Sequence, residues 1–207
     1  MSKTRNAFLS GSRAAAVIAV FLLSILSGCG NTPKPSFLST DITGADFGKG
    51  FNLVDHNGKL RTLEDFKGQV VVVFFGYTHC PDICPATMGN LATAMQKLGS
   101  DASGVQVLFI TVDPENDSPK ALKEYLTAFN PSFLGLYGNP QAIKKTAKEY
   151  NVVYQNHENN SEGHQSVDHS TGTYIYDTKG KLRLYVSNDK GPDVFAHDIL
   201  ELLKSSG

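Results

Sequence analysis

The chain has 207 residues, 41% of them hydrophobic and 19% charged, with a formal net charge of −1. These proportions fit one globular domain with some appended sequence and argue against a disordered or fibrous chain. Without clustered Lys and Arg the sequence does not favour nucleic acid as a partner, because phosphate contacts need concentrated positive charge.

At the N-terminus Lys3, Arg5 and Arg13 lead into an apolar run from Ala14 to Leu26, and no acid precedes Cys29. This is the pattern of an export signal, and the run is short for a membrane span of about 20 apolar residues. Leu26-Ser27-Gly28-Cys29 resembles the end of a bacterial lipoprotein signal, which implies cleavage before Cys29 and diacylglyceryl modification of its thiol. The expected division is a signal peptide at 1–28, a lipid-anchored flexible tether at 29–46 and a folded domain at 47–207. Cleavage would leave 16 basic against 20 acidic residues, a formal charge of −4. The expected location is a bacterial membrane with the domain extracytoplasmic, periplasmic in a Gram-negative source.

Gly30 to Ser39 is small, polar and proline-bearing, as a tether should be. Phe51 to Arg61 reads as an N-terminal β-hairpin about Asn57-Gly58, a dipeptide suited to the positive φ of a tight primed turn. Thr62 to Phe66 predicts a short helical turn. Gln69 to Phe75 is a nearly unbroken β-branched and aromatic run, the pattern of a central strand buried on both faces. Tyr77 to Pro85 follows at its carboxyl end with Cys80 and Cys84, and Pro85 to Leu98 has apolar residues at helical spacing. Proline is favourable at a first helical position and disruptive inside a helix, so Pro85 marks the start. Cys84 is then expected near the N-cap and Cys80 in the preceding loop.

Val105 to Val112 reads as a second buried strand, Ser118 to Phe129 as a helix, Leu134 to Tyr137 as a short strand, and Asn139-Pro140 opens a helix to about Tyr150. Asn151 to Gln155 is read as extended, and Asn156 to Asp168 as a polar stretch without apolar pattern. Thr173 to Asp177 and Leu182 to Val186 form a hairpin, and Asp193 to Leu203 a final helix. Alternating βα units ending in a hairpin and a helix predict an α/β fold, a central mixed β-sheet flanked by helices. A thiol pair between strand and helix is where a thioredoxin-like fold keeps its chemistry, and open α/β sheets present binding residues at strand carboxyl ends.

With Cys29 assigned to lipid, the exported domain holds only Cys80 and Cys84. Two neighbouring thiols in an oxidising compartment are a disulfide, a redox-active dithiol or metal ligands. As a staple the pair is poor, because a disulfide stabilises mainly by closing a long loop. The positive end of a helix dipole is expected to ease ionisation of Cys84. His169, far downstream, completes a three-coordinate soft-metal site if the fold returns it to the pair. Sulfur suits Cu(I) and imidazole nitrogen suits Cu(II), whereas zinc usually takes a fourth ligand or a water. Most single histidines are structural; His157 and His164 are weaker alternative ligands, and His56 and His197 are read as structural.

Phe74-Phe75-Gly76-Tyr77-Thr78-His79-Cys80-Pro81-Asp82-Ile83-Cys84-Pro85, Thr111-Val112-Asp113-Pro114-Glu115 and Val167-Asp168-His169-Ser170 together resemble the Sco/SenC copper-binding proteins. The resemblance runs from about Phe47 to Leu203 and takes in Asp65-Phe66-Lys67-Gly68. It implies assembly of the binuclear copper centre of cytochrome c oxidase, with copper held by Cys80, Cys84 and His169 as Cu(I) or Cu(II). The implied partners are the copper-accepting oxidase subunit, an upstream copper donor, a thiol reductant, and the membrane through the N-terminal lipid. His79 is expected to tune or shield the site. Asp82 is read as a helix cap, or as a charge-balancing or partner-contacting group, and Asp113 as a turn residue or partner contact. The competing readings are a thiol-disulfide reductase built on Cys80 and Cys84, which would make the protein an enzyme, and a copper or redox sensor.

Overall fold

All seven residues of strand β4 (Val70–Gly76) are buried, so the β-branched run becomes the middle of the sheet rather than one of its faces. The structure is a computed structural model that describes residues 35–157, 166–169 and 172–205, with the backbone alone for 155–157 and 166–169. The export signal and Cys29 lie outside the described residues.

The strands are β1 (Thr40–Asp41), β2 (Asn52–Asp55), β3 (Leu60–Thr62), β4, β5 (Val105–Thr111), β6 (Leu134–Tyr137), β7 (Tyr154–His157), β8 (Ser166–His169), β9 (Thr173–Tyr176) and β10 (Leu182–Val186). The helices are α1 (Ile83–Leu98), α2 (Pro119–Thr127), α3 (Pro140–Glu149) and α4 (Pro192–Ser205). Eight strands form one mixed sheet in the order β1-β10-β9-β4-β5-β6-β2-β3. Strand β4 runs parallel to β5 from Val70↔Val105 to Gly76↔Thr111 and antiparallel to β9, with Phe74 opposite Thr173. The α/β architecture expected from the sequence is the one observed.

Successive β4 side chains leave on opposite faces. The Phe74 ring lies 6.0 Å from Phe109, whereas Phe75 meets Tyr150 at 5.0 Å and belongs to an aromatic group with Tyr174. Three of the helices begin on proline, where the missing N–H is no loss. Ser118 and Asn139 cap two of them by accepting from the Ala121 and Ala142 amides.

Four local features differ from expectation. The β2–β3 turn is not a two-residue primed turn: Val54 pairs with Leu60, and the buried Asp55 carboxylate closes a wider loop by accepting from the Asn57 and Lys59 amides. Helix α1 starts at Ile83, two residues before Pro85, which the third helical position tolerates because its N–H would have no intrahelical partner. Part of the polar stretch after Gln155 forms a separate two-stranded ribbon, β7 with β8, whose Tyr-Gln-Asn-His and Ser-Val-Asp-His sequences give no apolar alternation. Finally, Thr40–Asp41 adds to the sheet edge beside β10, and the Asp198 carboxylate of α4 accepts from the Leu38 and Ser39 amides. Packed chain therefore begins ahead of Phe47.

Candidate metal centre

Strand β4 delivers the chain through Gly76 into a loop of six residues, Tyr77 to Asp82, which turns into α1. Within that turn the Cys84 amide donates to the Cys80 sulfur at 3.4 Å. A sulfur thus takes the part that a Ser or Asp oxygen takes at an ordinary helix start, satisfying an amide with no carbonyl four residues back. Asp82 occupies the N-cap position, but its side chain makes no cap hydrogen bond and is exposed. The capping expected of Asp82 belongs to Cys80.

Neither thiol is in a disulfide; Cys80 is half-buried and Cys84 has no exposed surface. Gly76 makes room for the inner one. A Cβ at position 76 would stand 2.9 Å from the Cys84 sulfur, 2.8 Å from Phe74 and 2.9 Å from Phe109, closer than real side chains tolerate. Burial, followed by the hydrogen bond with Cys80, pushes the Cys84 thiol well above its ordinary range. This reverses the expectation that the helix dipole eases its ionisation: loss of water around a buried thiolate outweighs a partial charge at a helix end.

Asp117, which the sequence did not single out, holds the outer loop. Its buried carboxylate accepts from the Thr78 hydroxyl at 2.5 Å, the Thr78 amide at 3.2 Å and the Thr111 hydroxyl at 2.6 Å. Burial raises its carboxyl above the usual range against the pull of these donors, and the charge of Asp113 adds to the rise. The signal for this residue was the chemistry on both sides, an acid six residues past the Thr111 strand end with a threonine just before the thiols.

Asp113 is itself buried; its amide donates to the Thr111 hydroxyl and its carboxylate accepts from the Asn116 side chain at 3.0 Å. That is a turn-holding arrangement, with Glu115 and Asn116 exposed. His79 is exposed beside Cys80, with its Nδ1 3.2 Å from the Thr78 hydroxyl.

His169 ends β8, with its backbone opposite Tyr154; its side chain lies outside the described part of the structure. The structure therefore brings Cys80 and Cys84 together and describes the third expected ligand at the backbone alone. Among the described residues no group of three His, Cys, Asp or Glu side chains forms a metal site. His157 lies on β7, again at the backbone alone, and His164 lies outside the described residues. His56 accepts from the Gly135 amide through Nδ1 at 3.1 Å, and His197 Nδ1 lies 2.9 Å from Asp198, so both are structural as expected. No helix among the described residues is long and apolar enough to cross a membrane.

A family described as SCO1/SenC matches residues 39–204. An SCO2-like protein of Rickettsia conorii is 35% identical over 159 residues, 76% of each chain. The structure of Bradyrhizobium japonicum ScoI with copper bound is 36% identical, with a TM-score of 0.69 over 77% of this chain and 100% of that one. An SCO1/SenC family lipoprotein from Bacillus anthracis is 26% identical, with a TM-score of 0.63 over 74% of this chain and 92% of that one. With the family matched from the first strand to the last helix, and a dithiol at the carboxyl end of the central strand, the chain belongs to the SCO1/SenC family.

Proposed function

We propose that the protein is an extracytoplasmic copper chaperone that carries one copper ion as cargo between Cys80, Cys84 and His169 and passes it to the binuclear copper centre of cytochrome c oxidase. The observation that carries the reading is the dithiol itself, one sulfur half-buried and the other fully enclosed, at the end of the central strand. Two soft donors of unequal access suit a transferable ion. The enclosed sulfur retains it, and the accessible one admits an acceptor's thiols. The chain belongs to a family in which a relative's structure holds copper, and two soft sulfur donors suit that ion.

Sheet register supports the third ligand. Thr173 pairs with Phe74, two residues short of Gly76, and His169 precedes Thr173 by four residues, at most roughly 14 Å of extended chain. An imidazole at 169 is therefore within reach of the strand end that carries the thiols. The lipoprotein relative supports attachment through Cys29, which keeps the domain at the membrane holding its acceptor.

Titration of the reduced protein with Cu(I) and with Cu(II) tests the reading. One ion should bind tightly, and binding should be lost in Cys80→Ala and Cys84→Ala and weakened in His169→Ala, with a changed visible spectrum. An unaltered His169→Ala would remove the histidine from the site.

A second reading rests on the same asymmetry: an accessible thiol hydrogen-bonded to a buried one is also the arrangement of a dithiol that attacks a partner's disulfide and is then released by its neighbour. Rapid reduction of an oxidase-subunit disulfide with poor copper retention would favour this thiol-disulfide reductase.

A further inference from the structure

Gly172 stands immediately before β9, and because β9 runs antiparallel to β4 it lies one position nearer the thiol end of β4 than Thr173, which pairs with Phe74. It is buried, and Tyr185 of β10 is what covers it. A Cβ at position 172 would stand 1.9 Å from Cε2, 2.2 Å from Cζ and 2.3 Å from the hydroxyl oxygen of Tyr185, so the phenol ring fills the space any side chain there would need. The contact is a cross-strand diagonal: Tyr185 pairs with Tyr174, and Gly172 shares a sheet face with Tyr174. The ring is held in turn. Tyr174 meets it edge-on at 5.5 Å, donates its hydroxyl to the Tyr150 carbonyl at 2.8 Å and packs 6.3 Å from Phe75, the neighbour of Gly76 on the strand that delivers the thiols.

An aromatic ring over a strand glycine is ordinary sheet packing, but here it acts on the chain that leads back to an expected copper ligand. His169 is three peptide links from Gly172, at most roughly 11 Å of extended chain, and its backbone is fixed opposite Tyr154. We propose that Gly172 and Tyr185 are positioning residues for the third ligand: backbone laid against the phenol ring sets the height at which the chain enters β9, and with it the reach of the His169 imidazole toward Cys80 and Cys84. The inference rests on the function proposed above and adds the residues that hold its histidine.

The tests are Gly172→Ala, which forces ring and backbone apart, and Tyr185→Leu, which keeps an apolar side chain but removes the flat ring. Each is made in the full chain, alone and together with His169→Ala, and titrated with Cu(II). Residues that hold a metal-binding histidine in place cost about 10–100-fold in affinity when changed, so each variant should lose that much and move the visible spectrum toward that of His169→Ala. In the His169→Ala background neither should change affinity or spectrum further. In the metal-free protein the Gly172 α-protons should be shifted in the NMR spectrum by the Tyr185 ring current, and Tyr185→Leu should abolish the shift. Parental affinity and spectrum in both variants, beside weakened binding in His169→Ala, would overturn the proposal and leave the chaperone reading standing. A lower Tm as the sole change would assign the pair to packing, and a further loss of affinity in the His169→Ala background would show that the effect does not pass through the histidine. Should Gly172→Ala fail to fold, Tyr185→Leu decides. If the parent bound no copper, or His169→Ala bound it as the parent does, the proposed ligand set would fall and this inference with it.

Discussion

The Thr78 hydroxyl donates to the Asp117 carboxylate across 39 residues of sequence, tying the loop that carries Cys80 to the turn that leaves β5. One carboxylate thereby joins the carboxyl ends of the two central parallel strands. Replacing Asp117 by Ala should cost about 3 kcal/mol in urea denaturation, since buried donors lose a charged acceptor. Copper affinity should fall with it, as the Cys80 loop slackens.

The same carboxylate predicts a pH dependence. Its carboxyl is raised in the folded protein, so on acidification the native state takes up the proton before the unfolded chain does. Where the native state binds more protons, stability falls as pH rises. The stability difference between the parent and Asp117→Asn, which cannot titrate there, should therefore shift in favour of the parent as pH falls from neutral through the raised range. Urea midpoints at several pH values would read this, and a pH-independent difference would contradict it.

Gly76→Ala should destabilise the fold by about 2–3 kcal/mol, because the added methyl meets Phe74, Phe109 and the Cys84 sulfur below 3 Å. The inner thiol should be displaced as well. Urea denaturation beside a copper titration of the variant would show both losses together.

Burial of Cys84 against partial exposure of Cys80 predicts ordered chemistry. Limited iodoacetamide treatment followed by peptide mass spectrometry should find Cys80 modified at least about tenfold faster. Because the Cys84 thiol is pushed up, a copper ion bound through Cys84 as proposed would have to displace its proton throughout the neutral range. Copper affinity should then rise about tenfold per pH unit for that proton, and a flat profile between pH 6 and 8 would show that Cys84 is not a ligand.

Asp198→Ala should release the N-terminal edge strand. Its carboxylate accepts from the Leu38 and Ser39 amides at 2.9 Å and from the Ser39 hydroxyl at 2.5 Å. Loss of these should cost about 3 kcal/mol and open the chain before Ile42 to proteolysis, detectable by N-terminal sequencing of the digest.

The central strand was legible because Val70 to Phe75 is apolar on both alternations, and the thiol loop because two cysteines precede a helical pattern. Helix starts at Ser118 and Asn139 were legible for the same local reason, a capping side chain followed by proline. What local pattern does not carry was missed. Asp117 acts through Thr78 and Thr111, one of them in a different loop, and sits beside the Ser118-Pro119 signal that marked the place as a helix start. The ionisation of Cys84 was judged from its place on a helix, whereas the number of atoms covering it is a property of the packed sheet. β1 has two polar residues, and only an edge already formed by β10 makes them a strand.

That short strand has a counterpart at the opposite margin, where β3 has three residues. Neither stub offers a long row of unpaired amides and carbonyls to a neighbouring polypeptide. Edge-to-edge growth of the sheet into a polymer is thereby disfavoured at both flanks.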